Sequence, residues 1–194
     1  GSSPNVEDLG GWLATVRANG IGVNLAMFVG HGTLRNLAGI GRKANPSEDE
    51  LQRMVGLLDG ALDYTFGLST GLEYNPGLHA SQAELITLSQ TVGARHRVIM
   101  SHMRNEDDDQ LEQSIAELLH QGRHARVHIA HLKSVYGKGR ARAEELLAVL
   151  ARARAAGVAI TADVYPYIAS YTGISLLFPV WAKTSEDFVI AKRD

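Results

Sequence analysis

The sequence predicts an α/β protein in which parallel strands alternate with helices. Three observations carry that reading. Apolar residues switch repeatedly between continuous strand-like runs and helical stripes. The runs end near residues 31, 70, 102, 131 and 165, each about one strand-plus-helix unit after the last. Unusual polar side chains collect at those run ends, where parallel α/β folds place their ligands. With 194 residues, 45% of them hydrophobic, the chain can bury the core of one domain.

The elements follow in order. Val6, Leu9, Trp12, Leu13 and Val16 make a helical stripe over about residues 4–18, stopped by Gly20. The run from Ile21 to Val29 reads as a buried strand ending in Gly30-His31-Gly32. A second helix starts near Asn45, a capping residue, with Pro46 at its first position and a stripe of Leu51, Met54, Val55, Leu58 and Leu62. A short strand over Tyr64–Ser69 ends in Thr70-Gly71. Ser81 and Glu84 predict a capping box for a helix running to about Gly93. Val98–His102 is the next strand. Asp107-Asp108-Asp109 then suits a helix N-terminus, with Leu111, Ile115, Leu118 and Leu119 as the apolar face. Val127–His131 is a strand, 140–156 a helix closed by Gly157, and Val158–Tyr165 the fifth strand. The tail from Ser170 to Asp194 shows no period. A (β/α) barrel and a doubly wound sheet both fit this order. Eight barrel strands take about 250 residues, so five make only part of a barrel.

Composition narrows the function. Nineteen Lys and Arg against 21 Asp and Glu give a formal charge of −2, which argues against a nucleic-acid binder or a polybasic membrane binder. The chain has no Cys, so it offers neither a disulfide framework nor a thiolate metal ligand, and it fits a reducing cytoplasm. No apolar run approaches the ~20 residues of a membrane span.

Strand alternation places Val98, Met100 and His102 on one face, and Val127, Ile129 and His131 on one face of the next strand. Both histidines then point the same way about 5 Å apart, close enough to share a metal ion. The competing reading gives each an ordinary hydrogen bond, and periodicity alone leaves the two even. His128 is expected on the opposite face, toward the helices. His31, between glycines, either lines the site or braces the fold. Lys133 either meets a substrate carboxylate or reaches solvent. Arg104 and Glu106 are placed to pair with each other. Asp163 is placed to fix a neighbouring His or Lys. His79, His96, His120 and His124 read as surface.

Five segments together resemble the N-acyl-D-amino-acid deacylases (D-aminoacylases) of the amidohydrolase superfamily. They are Val29-Gly30-His31-Gly32-Thr33-Leu34-Arg35; Phe66 to Tyr74 with Pro76-Gly77; Ser101-His102-Met103-Arg104-Asn105-Glu106; Ala130-His131-Leu132-Lys133-Ser134; and Ala162-Asp163-Val164-Tyr165-Pro166-Tyr167. The resemblance covers essentially the whole chain. It implies an α/β fold of the (β/α)8 TIM-barrel type, of which residues 1–194 supply about strands 3–7 of the catalytic barrel. Strands 1, 2 and 8 and the family's small β-domain are without counterpart.

It implies Zn2+ held by His102 and His131, with an N-acyl-D-amino acid bound by Lys133, Tyr165, Tyr74, Ser170 and Arg104. It implies hydrolysis of the acyl amide to a carboxylate and a free D-amino acid. The family's His-x-His, its metal-binding cysteine and its aspartate base are not matched, so no catalytic base is assigned. The 194 residues alone are therefore expected to be inactive, and the activity to belong to a longer protein. A cyclic-amide hydrolase of the same superfamily is the alternative, disfavoured because Tyr64–Gly71 holds no lysine to bridge metals. An alternative of another class is a non-catalytic domain binding small anions through Arg104 and Lys133. A third is an assembly fragment whose open strand edges self-associate.

Overall fold

The computed structural model describes residues 8–179, 182 and 189. Five parallel strands form one sheet in the order β1-β2-β3-β4-β5: Val29–Gly30, Gly67–Gly71, Val98–His102, Arg126–Ile129 and Ile160–Ala162. Each strand pairs with the next in sequence. The chain therefore winds in one direction and never reverses. A doubly wound sheet has a point where strand order turns back; this one has none, and the order is that of a barrel wall.

Six helices among the described residues accompany the strands: α1 Leu9–Asn19, α2 His31–Leu37, α3 Glu48–Ala61, α4 Gln82–Ala94, α5 Leu111–Gln121 and α6 Gly139–Ala155. The register explains the core. Val29, Leu68, Ile99, Val127 and Ile160 lie side by side across the sheet, all at most 2% exposed. They face the helices and pack with residues such as Met54, Leu58, Leu88, Ile115, Leu118 and Leu150. Gly30, Ser69, Met100, His128 and Thr161 form the adjacent row on the inner face. Gly67 sets the height of β2. Its φ is +155°, and a Cβ there would fall 1.8 Å from the Val98 carbonyl oxygen, so a side chain would break the pairing that brings Gly71 level with His102.

Several expectations shift. The run 21–29 is not a buried strand: Ile21, Val23 and Leu25 are exposed, and only Val29–Gly30 pairs. β1 is the sheet edge, with no strand beyond it among the described residues. The helix at 45–62 is capped by Ser47 rather than Asn45, and its capping box with Glu50 is complete. Ser81 caps α4 as expected, accepting from Glu84 N–H, but the Glu84 side chain turns into the core instead of closing a box. The acidic run at 107–109 precedes α5, which begins at Leu111. The stripe of α1 holds for Leu9, Trp12, Leu13 and Val16, whereas Val6 lies outside the described residues. Among the described residues no helix is long and apolar enough to cross a membrane.

Candidate metal centre

β3 delivers His102 to the C-terminal end of the sheet by simple alternation, with Ile99 and Ser101 buried against the helices. β4 does not deliver His131 that way. Its buried residues Val127 and Ile129 face the helices, and His128 is level with Met100 on the inner face. Regular alternation would thus aim His131 at the helix layer. The strand ends at Ile129, and His131 takes a left-handed backbone with φ +43°. Non-glycine residues rarely adopt it, at a cost of order 1–3 kcal/mol. The turn swings the ring beside His102, with centroids 4.6 Å apart. The two histidines do meet, although not by the shared face the sequence suggests, and His128 lies opposite to its expected side.

His102 Nδ1 and His131 Nε2 face each other at 3.0 Å. The outer nitrogen of each ring meets a carboxylate: His102 Nε2 lies 2.9 Å from Glu73 Oε2, and His131 Nδ1 lies 3.1 Å from Glu106 Oε1, with Lys133 Nζ also 3.2 Å from that nitrogen. Protons on those outer nitrogens leave two lone pairs aimed at one point, an arrangement that a cation relieves. Metal-bound histidines commonly donate their second N–H to a carboxylate, which fixes ring and tautomer. Two nitrogens each ~2.0–2.1 Å from a tetrahedral zinc stand about 3.3 Å apart, close to the spacing here. The residues present therefore fit a metal ion, and Glu106 adds an oxygen to a donor set lying within 4.8 Å.

The surroundings are aromatic and cationic. Tyr74 leans on His102 with centroids 4.8 Å apart, and Tyr165 stands 6.3 Å from His131. Lys133 Nζ lies 2.5 Å from Glu106 Oε2 and 5.5 Å from the Tyr165 ring centre, so the ammonium is held by an anion and a π face. Tyr74, Lys133, Tyr165 and Ser170 line, with both histidines, a cavity of about 370 Å³. A larger cavity of about 830 Å³ opens along the inner face past Ser69 and Met100.

Arg104 is the expected site residue that stands apart. Its guanidinium binds Glu117 at 2.9 Å and the carbonyls of Leu78 and Ala80, tying the end of β3 to neighbouring elements. It pairs with Glu117, not Glu106, and lines a different cavity.

His31 braces the fold and also lines the larger cavity, together with His102 and His131. It is buried, with Nε2 2.7 Å from Glu84 Oε1. Asp163 accepts from the His131 backbone N–H and lies 3.0 Å from His128 Nε2. The His128 hydrogen bond, followed by that amide, holds its carboxyl below the ordinary value. Glu73 and Glu106 were missed as partners of the histidines. The signal available was position: each carboxylate follows a strand end by a few residues, next to a strand carrying a histidine.

No protein-family model matches the chain. The N-acyl-D-glutamate deacylase of Alcaligenes xylosoxydans xylosoxydans is 36% identical over 193 residues, which is 98% of this chain and 39% of that protein. The crystal structure of N-acyl-D-glutamate deacylase from Bordetella bronchiseptica, complexed with zinc and a phosphonate inhibitor, superposes with a TM-score of 0.78 at 36% identity. That match covers 86% of this chain and 36% of the other. Over nearly its whole length the chain is similar to N-acyl-D-amino-acid deacylases. A D-aminoacylase structure described as defining a novel subset of amidohydrolases gives a TM-score of 0.75 at 34% identity, over 82% of this chain and 34% of that one. The chain thus spans a little over a third of the length of the relatives it matches.

Proposed function

We propose that the chain forms the metal-binding wall of a zinc-dependent hydrolase acting in the cytoplasm on the amide bond of N-acyl-D-amino acids. One observation carries the reading. Two inner imidazole nitrogens face each other at 3.0 Å while carboxylates hold both outer ones. Residues 1–194 then belong to one catalytic barrel, their five strands corresponding to barrel strands 3–7. A bound zinc ion would polarise the acyl carbonyl and activate water.

The chain's own residues bind and orient. Glu73 and Glu106 fix the ring orientations of His102 and His131. Lys133 and Tyr165 face the same cavity and offer an ammonium and a phenol to the substrate α-carboxylate, with Tyr74 and Ser170 on its walls. For that contact Lys133 exchanges part of its hold on Glu106 for the substrate anion. The leaving amine departs protonated, by a proton from a base that these residues do not assign. Free D-amino acid and carboxylate are the products.

The anion-binding alternative loses its geometry, because Arg104 and Lys133 line separate cavities and do not converge. The cyclic-amide alternative still lacks a lysine on β2. The deciding experiment is zinc per chain on the purified protein beside a His102→Ala/His131→Ala double variant. The expected result is zinc in the wild type and none in the variant. Zinc kept by the double variant, or absent from both, sinks the reading of this pair as the metal site. A protein that contains this chain together with the remaining barrel is expected to release D-amino acid from N-acyl-D-amino acids.

A further inference from the structure

We infer that Asp163, held by His128, is the positioning residue that creates the metal-binding geometry of His131. The inference rests on the metal reading above and explains how one of its ligands comes to be in place. Alternation along β4 would send His131 into the helix layer, and only its left-handed backbone brings the ring to His102. A conformation of that kind persists where its surroundings fix it.

The surroundings are specific. Asp163 Oδ1 accepts the His131 backbone N–H, so a side chain just past the end of β5 grips the strained residue itself. The backbones on either side are also bonded. Asp163 N–H donates to the Ile129 carbonyl at 3.1 Å, and Leu132 N–H donates to the Asp163 carbonyl at 2.9 Å. The turn from 129 to 132 is thereby clamped to one residue of the neighbouring chain segment.

The carboxylate is itself oriented. His128 Nε2 meets Asp163 Oδ2 at 3.0 Å, and His128 Nδ1 meets Thr161 Oγ1 at 2.8 Å. With Nε2 protonated toward the carboxylate, Nδ1 accepts from the Thr161 hydroxyl. The inner-face trio Thr161–His128–Asp163 thus ends on the one amide whose position decides where His131 points. Asp163 touches neither ring of the metal pair; it acts on the backbone beneath one of them.

The test combines amide hydrogen exchange with zinc competition on the full chain. In the wild type, the His131 amide is expected to exchange at least tenfold more slowly than the amides of exposed loop residues such as Tyr136. Exchange at the loop rate overturns the proposal, and this measurement requires no variant to fold. Asp163→Ala is expected to weaken zinc in chelator competition by about 10- to 100-fold, the usual range for a group supporting a metal ligand. Asp163→Asn, which keeps an acceptor oxygen for the amide, is expected to recover most of that loss. Zinc affinity unchanged in Asp163→Ala overturns the proposal, as does an Asn variant as weak as the Ala one. His102→Ala separates the two readings. If zinc survives that substitution the metal site itself is misassigned, whereas the His131 amide exchange still decides whether Asp163 fixes the turn.

Discussion

Two of the histidine–carboxylate clusters among the described residues do different things. At one side of the sheet, His31 Nε2 meets Glu84 at 2.7 Å, and Arg35 reaches both oxygens of the same carboxylate at 3.0 Å. All three side chains are at most 1% exposed. At the strand ends, His102 meets Glu73 at 2.9 Å and His131 meets Glu106 at 3.1 Å, with each histidine side chain partly open. The pairings look alike, so a histidine beside a carboxylate does not mark a site. The second nitrogen does. In the sealed cluster it is enclosed against the backbone near Gly77, where a Cβ would sit 3.6 Å away. In the open cluster two second nitrogens converge beside a cavity.

The largest effect is expected where charge is sealed in. Burial pushes the Arg35 guanidinium below its ordinary value, and the Glu84 carboxylate opposes that shift. Glu84→Ala removes the anion and leaves a cation buried, which costs about 3–5 kcal/mol in such sites. Glu73→Ala, at the open cluster, is expected to cost below about 1 kcal/mol, because solvent reaches its partner. Urea unfolding of the two variants measures both. Equal losses would erase the distinction between a brace and a site.

Metal affinity should rank the clusters the other way. His102→Ala is expected to lower zinc affinity by more than about 100-fold, beyond the effect of a supporting group, with little change in unfolding midpoint. His31→Ala should lower the midpoint and leave zinc unchanged. Glu73→Gln is expected to sit between them, weakening zinc by about 10-fold, since an amide holds the ring less firmly than a carboxylate. Isothermal titration with zinc, run beside thermal melts, checks all three. A Glu73→Gln protein with wild-type affinity would remove that carboxylate from the site.

These contrasts also show what the chain made readable. The strand–helix alternation, the strand ends and the pair His102–His131 follow from local pattern, because period and position along a strand are local properties. The face of His131 was not readable. Its left-handed φ is fixed by contacts from Asp163, just past β5, and nothing in Ala130-His131-Leu132 marks it. For the same reason His128 appeared on the wrong side. The run Ile21–Val29 has the composition of a buried strand, yet burial needs a neighbour that pattern cannot supply. Glu73, Glu84 and Glu106 each find their histidine on another element. Arg104 is the same lesson reversed: beside a site histidine in sequence, it is spent on Glu117 across the fold.

The smallest expected effect supplies a third kind of charge cluster, a partly covered arginine among carboxylates that face solvent. Arg142 on α6 binds Asp108 at 2.8 Å, Glu112 at 2.7 Å and Glu145 at 2.9 Å. The Arg142 hydrogen bond, with a lesser one from Ser134, holds the Asp108 carboxyl below its ordinary value. A carboxyl depressed in the folded state stabilises the fold above its unfolded pKa and loses that contribution as the pH falls through the folded value. Unfolded Asp titrates near ~3.9, so the loss begins there and completes at lower pH. Arg142→Met should therefore melt slightly below the wild type at pH 6, and the gap should close as the pH falls below about 4. Exposed pairs contribute little and are screened by salt, so the gap should also shrink in high salt. The Glu84→Ala gap should resist salt, because the charges it disturbs lie out of reach of solvent ions. A salt-sensitive Glu84→Ala gap would mean that the His31 cluster is open to water, and the two histidine clusters would then differ in degree rather than in kind.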